Sequence, residues 1–289
     1  MSTKSEPIRR RRLRPLRLTA RDERVVRLVA ELGATTVAQV QLLEFGERNR
    51  SRAQTRLGLL RQAGFLETLP GRAPNEPAVY LVSRRGQRAL GLDEDAERAP
   101  LRRVAYGRLR HDLAVNDCRV HLLRAARKPG VTMVRWLPED ALRKVTLAHG
   151  LVPDAFFQVA RQAGDLSPQS SFFLEVEVSE KGERALRQKL TNLGAYYYGG
   201  RFEQDFGTRA LRVLVLVKPE PGASGERLVQ RMTGLGKLVG VTFLRVAELN
   251  VFLAVPPPEL FRRPIWSQPG VDAPVALFPG GEAHEQRAA

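Results

Sequence analysis

The chain has 289 residues, 43% hydrophobic and 27% charged, enough for two domains with separate cores. Its formal net charge of +16 is uneven: residues 1–110 hold 24 Lys and Arg against 12 Asp and Glu, and residues 111–289 hold 23 against 19. A positive field gathered at one end points to a polyanion as partner, nucleic acid ahead of an anionic membrane. The single cysteine, Cys118, excludes a disulfide framework and a cysteine-rich zinc site. No run reaches the roughly 18 apolar residues of a membrane span, and none suits a signal peptide, so a cytoplasmic, non-membrane protein is expected.

Residues 1–17 carry Arg9 to Arg12, Arg14 and Arg17 and predict a basic flexible arm suited to phosphates. Residues 18–91 follow with a helix opened by Thr19, with Asp22 and Glu23 in its first turn and Gly33 at its end. A second short helix runs from Thr36 to before Gly46, and a third from about Ser51 to Gly64. Two strand-like runs, Phe65–Leu69 and Ala78–Val82, flank a Pro- and Gly-rich tip, and a helix follows near Arg84 to Leu90. Three helices and a hairpin in this order predict a winged helix-turn-helix, whose third helix enters the major groove. The polar positions there are Arg50, Arg52, Gln54, Thr55, Arg56 and Arg61, and Arg72 sits on the wing. Arginine can read guanine and glutamine adenine, or either can hold phosphate.

Residues 92–103 are acidic at first and contain Pro100, as a linker would be. A helix is predicted over 104–127, then a strand over 131–137. Leu151–Val159 reads as a strand with Asp154 near its start, and Ser171–Val178 as another. In the latter Phe173, Glu175 and Glu177 share one face and Phe172, Leu174, Val176 and Val178 the other. Glutamates on such a strand must be solvated, paired or bound to a cation, and Asp154 with Glu175 could converge on one Mg²⁺. A helix from Glu183 to Leu193 follows, and Tyr196 to Tyr198 near its end are expected to pack. Later strands are expected over 210–217, 241–246 and 251–255, a helix from about Ser224 lies between the first two, and residues 256–289 read as an extended Pro/Gly-rich tail.

The Pro153-Asp154 pair, the Phe172-to-Glu177 run, the basic helix bearing Lys189 ahead of the tyrosines, and the run Leu109 to Asn116 together resemble the replication-relaxation family of mobile elements. That resemblance implies an α+β or α/β architecture: an N-terminal winged helix-turn-helix followed by a PD-(D/E)xK nuclease-like α/β domain, here over 104–255. It implies Asp154, Glu175, Glu177, Lys181 and Lys189 as catalytic candidates, with Asp154 and Glu175 as metal ligands. The superfamily's pattern has lysine two residues after Glu175, where this chain has Glu177; Lys181 or Lys189 would have to replace it. The expected function is therefore DNA binding in plasmid or phage replication or mobilisation, with a homodimer or a partner from the same element also expected. A Mg²⁺-dependent endonuclease and a winged-helix transcription regulator are the alternatives.

Overall fold

A computed structural model of the chain describes residues 16–69, 76–91, 106–127, 129–162, 168–178, 182–220 and 222–278. Most of the basic arm, the hairpin tip with Arg72, the linker 92–103, Lys181 and the last residues of the tail therefore lie outside the described residues. The chain divides into two compact units between Asn116 and Asp117, inside a helix rather than at the acidic stretch.

The first unit begins with α1 (Ala20–Leu32), closed at its start by a capping box. The Thr19 hydroxyl accepts the Asp22 N–H at 3.3 Å, and the Asp22 carboxylate accepts the Thr19 N–H at 2.7 Å. A two-residue strand β1 (Thr35–Thr36) leads into α2 (Val37–Val40). One π-helical turn, Gln41–Phe45, continues it to Gly46, whose φ of 81° stops the helix. Next come α3 (Arg50–Gln62), β2 (Leu66–Thr68), β3 (Val79–Val82) and α4 (Arg84–Ala89). The sheet is antiparallel in the order β1-β3-β2. Val25, Val26 and Val29 of α1 pack with Val40, Leu57, Leu60, Phe65 and Val82, the apolar stripes that the sequence periodicity marks. Backbone also meets backbone closely here: a Cβ built on Gly86 of α4 would stand 2.3 Å from the Phe65 carbonyl oxygen.

Helix α5 (Tyr106–Ala126) gives its first half to this unit. Leu109 is buried with Ala34, Leu69, Val79 and Leu81. The Asn116 amide donates to the carbonyls of Leu32 at 2.9 Å and Ala34 at 2.7 Å, and Gln39 Nε2 donates to the Leu113 carbonyl at 3.0 Å. Asn116 thereby satisfies a carbonyl that the last turn of α1 cannot pair internally.

The second unit is built on a seven-stranded mixed sheet ordered β10-β9-β8-β7-β6-β5-β4. Its strands are β4 (Val131–Pro138), β5 (Ala155–Arg161), β6 (Gln169–Glu177), β7 (Leu211–Val217), β8 (Leu244–Glu248), β9 (Trp266–Gln268) and β10 (Val271–Val275). Only β6–β7 and β7–β8 are parallel, and helices make those crossovers. The connecting helices are α6 (Glu139–Thr146), α7 (Glu183–Tyr198), α8 (Arg201–Phe206), α9 (Gly225–Leu238) and α10 (Leu249–Ala254). One face of the sheet carries Phe156, Phe173, Val213, Val215, Leu244 and Val246, which pack with Leu186, Leu190 and Leu193 of α7 and Met232 and Leu235 of α9. On the other face Phe252 of α10 touches His121 of α5 and Trp266 of β9 edge-on, at 5.1 and 5.8 Å. Burial and the Arg124 charge push His121 down to about 4, so it packs as a neutral ring. Cys118 is fully buried and its thiol is pushed up by desolvation, as a core thiol would be.

Three expectations are corrected. Residues 251–255 are not a strand: they fall in α10 and just beyond it, a short apolar run that periodicity alone cannot assign. The strand expected from Val241 starts at Leu244, because the Val241 N–H closes the end of α9 on the Gly236 carbonyl at 2.9 Å. Residues 256–278 are not an extended tail. They fold back as β9 and β10, with Trp266 fully buried and Phe261 stacked on Phe278 at 5.2 Å.

Candidate functional sites

Strand β6 lies between β5 and β7 and is buried on both faces. Alternation puts Phe173, Glu175 and Glu177 on the face that α7 covers. The two glutamate side chains are each only 10% exposed, so each needs a partner. Helix α7 supplies one for both: Lys189, one turn on from Leu186, places Nζ 2.6 Å from Glu175 Oε2 and 2.9 Å from Glu177 Oε1. Leu186 and Leu190 anchor the helix on either side of that lysine.

Burial pushes the Glu175 carboxyl up to about 7; the Lys189 charge opposes this, while Asp154 and then Glu177 reinforce it. For Lys189, burial acts against the charge, but Glu175 and Glu177 outweigh it and raise its pKa. One ammonium therefore serves two carboxylates, and burial leaves Glu175 harder to ionise than a carboxylate in water.

Asp154 immediately precedes β5. Its N–H donates to the Leu174 carbonyl at 3.0 Å and its Oδ2 accepts the Val176 N–H at 2.7 Å. The carboxylate thus continues the β5–β6 ladder in the plane of the sheet. Its charge is felt both by Glu175 on one face and by Cys118 on the other. The Asp154 charge acts on Glu175, but one Asp154 oxygen is committed to the Val176 N–H and the described Glu175 contact is to Lys189. Among the described residues no group of three or more His, Cys, Asp or Glu side chains is placed to hold a metal ion. The Lys189 ammonium stands between Glu175 and Glu177. Lys181, the other lysine the resemblance offers, lies outside the described residues.

Of the three tyrosines in the last turn of this helix, Tyr196 and Tyr197 pack, whereas Tyr198 is exposed and its hydroxyl donates to the Gly240 carbonyl at 2.8 Å. Tyr196 is buried and its hydroxyl donates to Asp205 Oδ2 at 2.6 Å, and Tyr197 lies 4.3 Å from the Phe243 ring.

In the first unit, α3 contains no Asp or Glu across its 13 residues. Ala53, Leu57 and Leu60 face the core, while Arg50, Arg52, Gln54, Thr55 and Arg61 are exposed. No ion pair among the described residues engages Arg50, Arg52 or Arg61. Arg56 differs from them. Its guanidinium closes on the Asp22 carboxylate with two parallel hydrogen bonds, and only 26% of its side chain is exposed. Asp22 is fully buried; burial favours its neutral form, but the bonds from Arg56 and Thr19 outweigh this and hold its pKa low. The sequence shows Asp22 only as a helix-dipole residue, and nothing local in it links Asp22 to Arg56. Beside α3 opens a groove of about 750 Å³ lined by Thr19, Arg21, Phe45, Arg52 and Thr55. Arg21 stands over the Phe45 ring at 5.6 Å. Arg72 lies outside the described residues.

One unit thus carries a basic helix, and the other a mixed sheet with a lysine-bridged acidic strand. The profile of the replication-relaxation family matches residues 26–210, and the chain belongs to that family. That span takes in α3, the Asn116 contact, Asp154, Glu175, Glu177 and Lys189. No curated protein and no solved structure matches it. No helix among the described residues is long and apolar enough to cross a membrane.

Proposed function

We propose that this protein binds double-stranded DNA through a winged helix-turn-helix, in the replication or mobilisation of a plasmid or phage, and that its α/β unit is a nuclease-like domain that does not cut. The carrying observation is α3: three exposed arginines without carboxylate partners among the described residues, interleaved with Gln54 and Thr55, on a helix with no acidic residue. Binding through such arginines weakens steeply as salt rises, because each phosphate they hold releases counterions. Arg56 has a different part, holding α3 against α1 rather than reaching for DNA.

The non-cutting reading is supported by the Lys189 bridge, which gives the strand glutamates a resident cation of their own. Nuclease activity remains the second reading for one reason: Asp154 and Lys189 both act on the Glu175 carboxylate, and these are the residue types that a metal-dependent nuclease employs.

Fluorescence anisotropy with duplex DNA across a salt series tests the binding. Arg50→Ala, Arg52→Ala and Arg61→Ala should each weaken binding and flatten the salt dependence by about one unit for every phosphate no longer held. Unchanged affinity in the triple variant would remove α3 as the DNA-reading element. Supercoiled plasmid with Mg²⁺ or Mn²⁺ should stay intact; nicking that disappears in Asp154→Asn would establish the nuclease instead.

A further inference from the structure

Two arginines interrupt the apolar strands of the second unit, Arg212 in β7 and Arg245 in β8. The registers Phe172↔Arg212, Leu174↔Leu214 and Leu214↔Arg245 put both on one face of the sheet. Phe173, Glu175 and Lys189 belong to the opposite face. Both arginines sit near the N-terminal ends of their strands, whereas Glu175 and Glu177 lie at the C-terminal end of β6. The two groups are therefore separated by both face and end of the sheet.

Each arginine is half-buried, and neither has a carboxylate partner among the described residues. Arg212 lies over the Phe172 ring at 6.0 Å, and its Nη1 is 3.5 Å from the Ser170 hydroxyl. Arg245 Nη1 donates to the carbonyls of Leu244 at 2.8 Å and Thr242 at 3.3 Å, while its buried Nε meets no acceptor among the described residues. Desolvation lowers the pKa of both, and the Arg212 charge lowers Arg245 further, to about 10. A pair of like charges, partly withdrawn from water and without a counter-charge, is unfavourable by itself. A fold that only needed to fill this place would do so at less cost with leucine or methionine.

We propose that Arg212 and Arg245, with the Ser170 hydroxyl, form a binding site for a phosphate group. Guanidinium forks match the oxygens of a phosphate, and a hydroxyl adds a further donor. Two guanidiniums also match the charge of a phosphate dianion, which would relieve the repulsion between them. A nucleic-acid backbone or end, and free inorganic phosphate, share that chemistry. The proposal does not depend on α3 reading DNA.

Thermal unfolding of the full chain in inorganic phosphate, against chloride at matched ionic strength, is the test. The wild type should gain Tm as phosphate rises, since a ligand that binds only the folded state stabilises it by mass action. Arg212→Met and Arg245→Met should each weaken phosphate binding at least tenfold, and in chloride neither should unfold earlier than wild type. Equal phosphate-induced gains in wild type and both variants, or a gain that chloride reproduces, would overturn the site. So would a loss of Tm in both variants in chloride, since that assigns the arginines to holding the fold. The α3 triple alanine variant should keep the full phosphate response, which separates this site from DNA reading. A duplex that competes with phosphate for the pair identifies the backbone as the source; phosphate retained alongside bound duplex identifies the free anion.

Discussion

Arg56 and Asp22 lie 34 residues apart, and their two-pronged ion pair fastens α3 to the first turn of α1. The same carboxylate closes the capping box with Thr19, so one buried charge serves two elements. Arg56→Ala leaves it without its cation. The expected loss is about 3 kcal/mol, in the range for breaking one side of a buried pair, read as a lower urea midpoint at pH 7. Arg52→Ala, on the exposed flank, should leave the midpoint where it was. Asp22 is held low in the folded state, so its stabilisation is complete above the unfolded carboxylate pKa and fades as pH falls through the folded one. The Arg56→Ala penalty should therefore shrink in acid; a penalty constant down to pH 3 would show that the lost interaction is not ionic.

Glu175 has the opposite sign. Its carboxyl is raised from 4.5 to about 7, so between those values the folded chain binds the proton more tightly than the unfolded chain. Its contribution to unfolding free energy falls across that window as pH rises, by on the order of 1–3 kcal/mol. Glu175→Gln cannot titrate. Its stability relative to wild type should improve from pH 5 to pH 8, measured by paired urea titrations. Parallel pH profiles for the two proteins would contradict the raised carboxyl.

Asp154 bonds a buried strand N–H. Asp154→Ala should cost about 1–3 kcal/mol, the penalty of leaving that donor unpaired, while Asp154→Asn keeps an acceptor oxygen and should cost less. Equal stability of the alanine variant and wild type in chemical denaturation would dispose of the structural role. The same distinction makes asparagine the proper control for any cleavage assay.

Gly86→Ala should destabilise by about 1–3 kcal/mol or more through overpacking. The atom in the way is the Phe65 carbonyl oxygen, at 2.3 Å from the new Cβ, with Val82 Cγ2 at 2.8 Å. A main-chain atom cannot rotate aside. Wild-type Tm in this variant would mean that α4 can lift from β2 and β3 at no cost.

What could be read from the chain depended on distance along it. The alternation of Phe173, Glu175 and Glu177 is strict, so β6 and its acidic face were legible; the leucine stripe marked α7, while Lys189 became a candidate only through the family resemblance. The Thr19 cap of α1 and the stop at Gly46 are local chemistry and equally plain, but the reciprocal bond from Asp22 that completes the capping box is not. Arg56 read as one more exposed cation, because its partner lies in another helix and looks like an ordinary first-turn aspartate. The Asp154 bond to Val176 depended on where β5 begins, which periodicity does not resolve to one residue. Val251–Val255 is too short to tell helix from strand, and the prolines around Trp266 hid the last two strands of the sheet, which tertiary pairing stabilises.

Those two strands carry a practical consequence. Trimming the protein before Pro256, at what looks like dispensable Pro-rich sequence, would strip β9 from β8 and uncover Trp266's place against Phe252. The bared strand would offer its N–H and C=O groups to any neighbour able to pair with them, so the shortened chain should self-associate where the intact one has its own sequence laid along that margin.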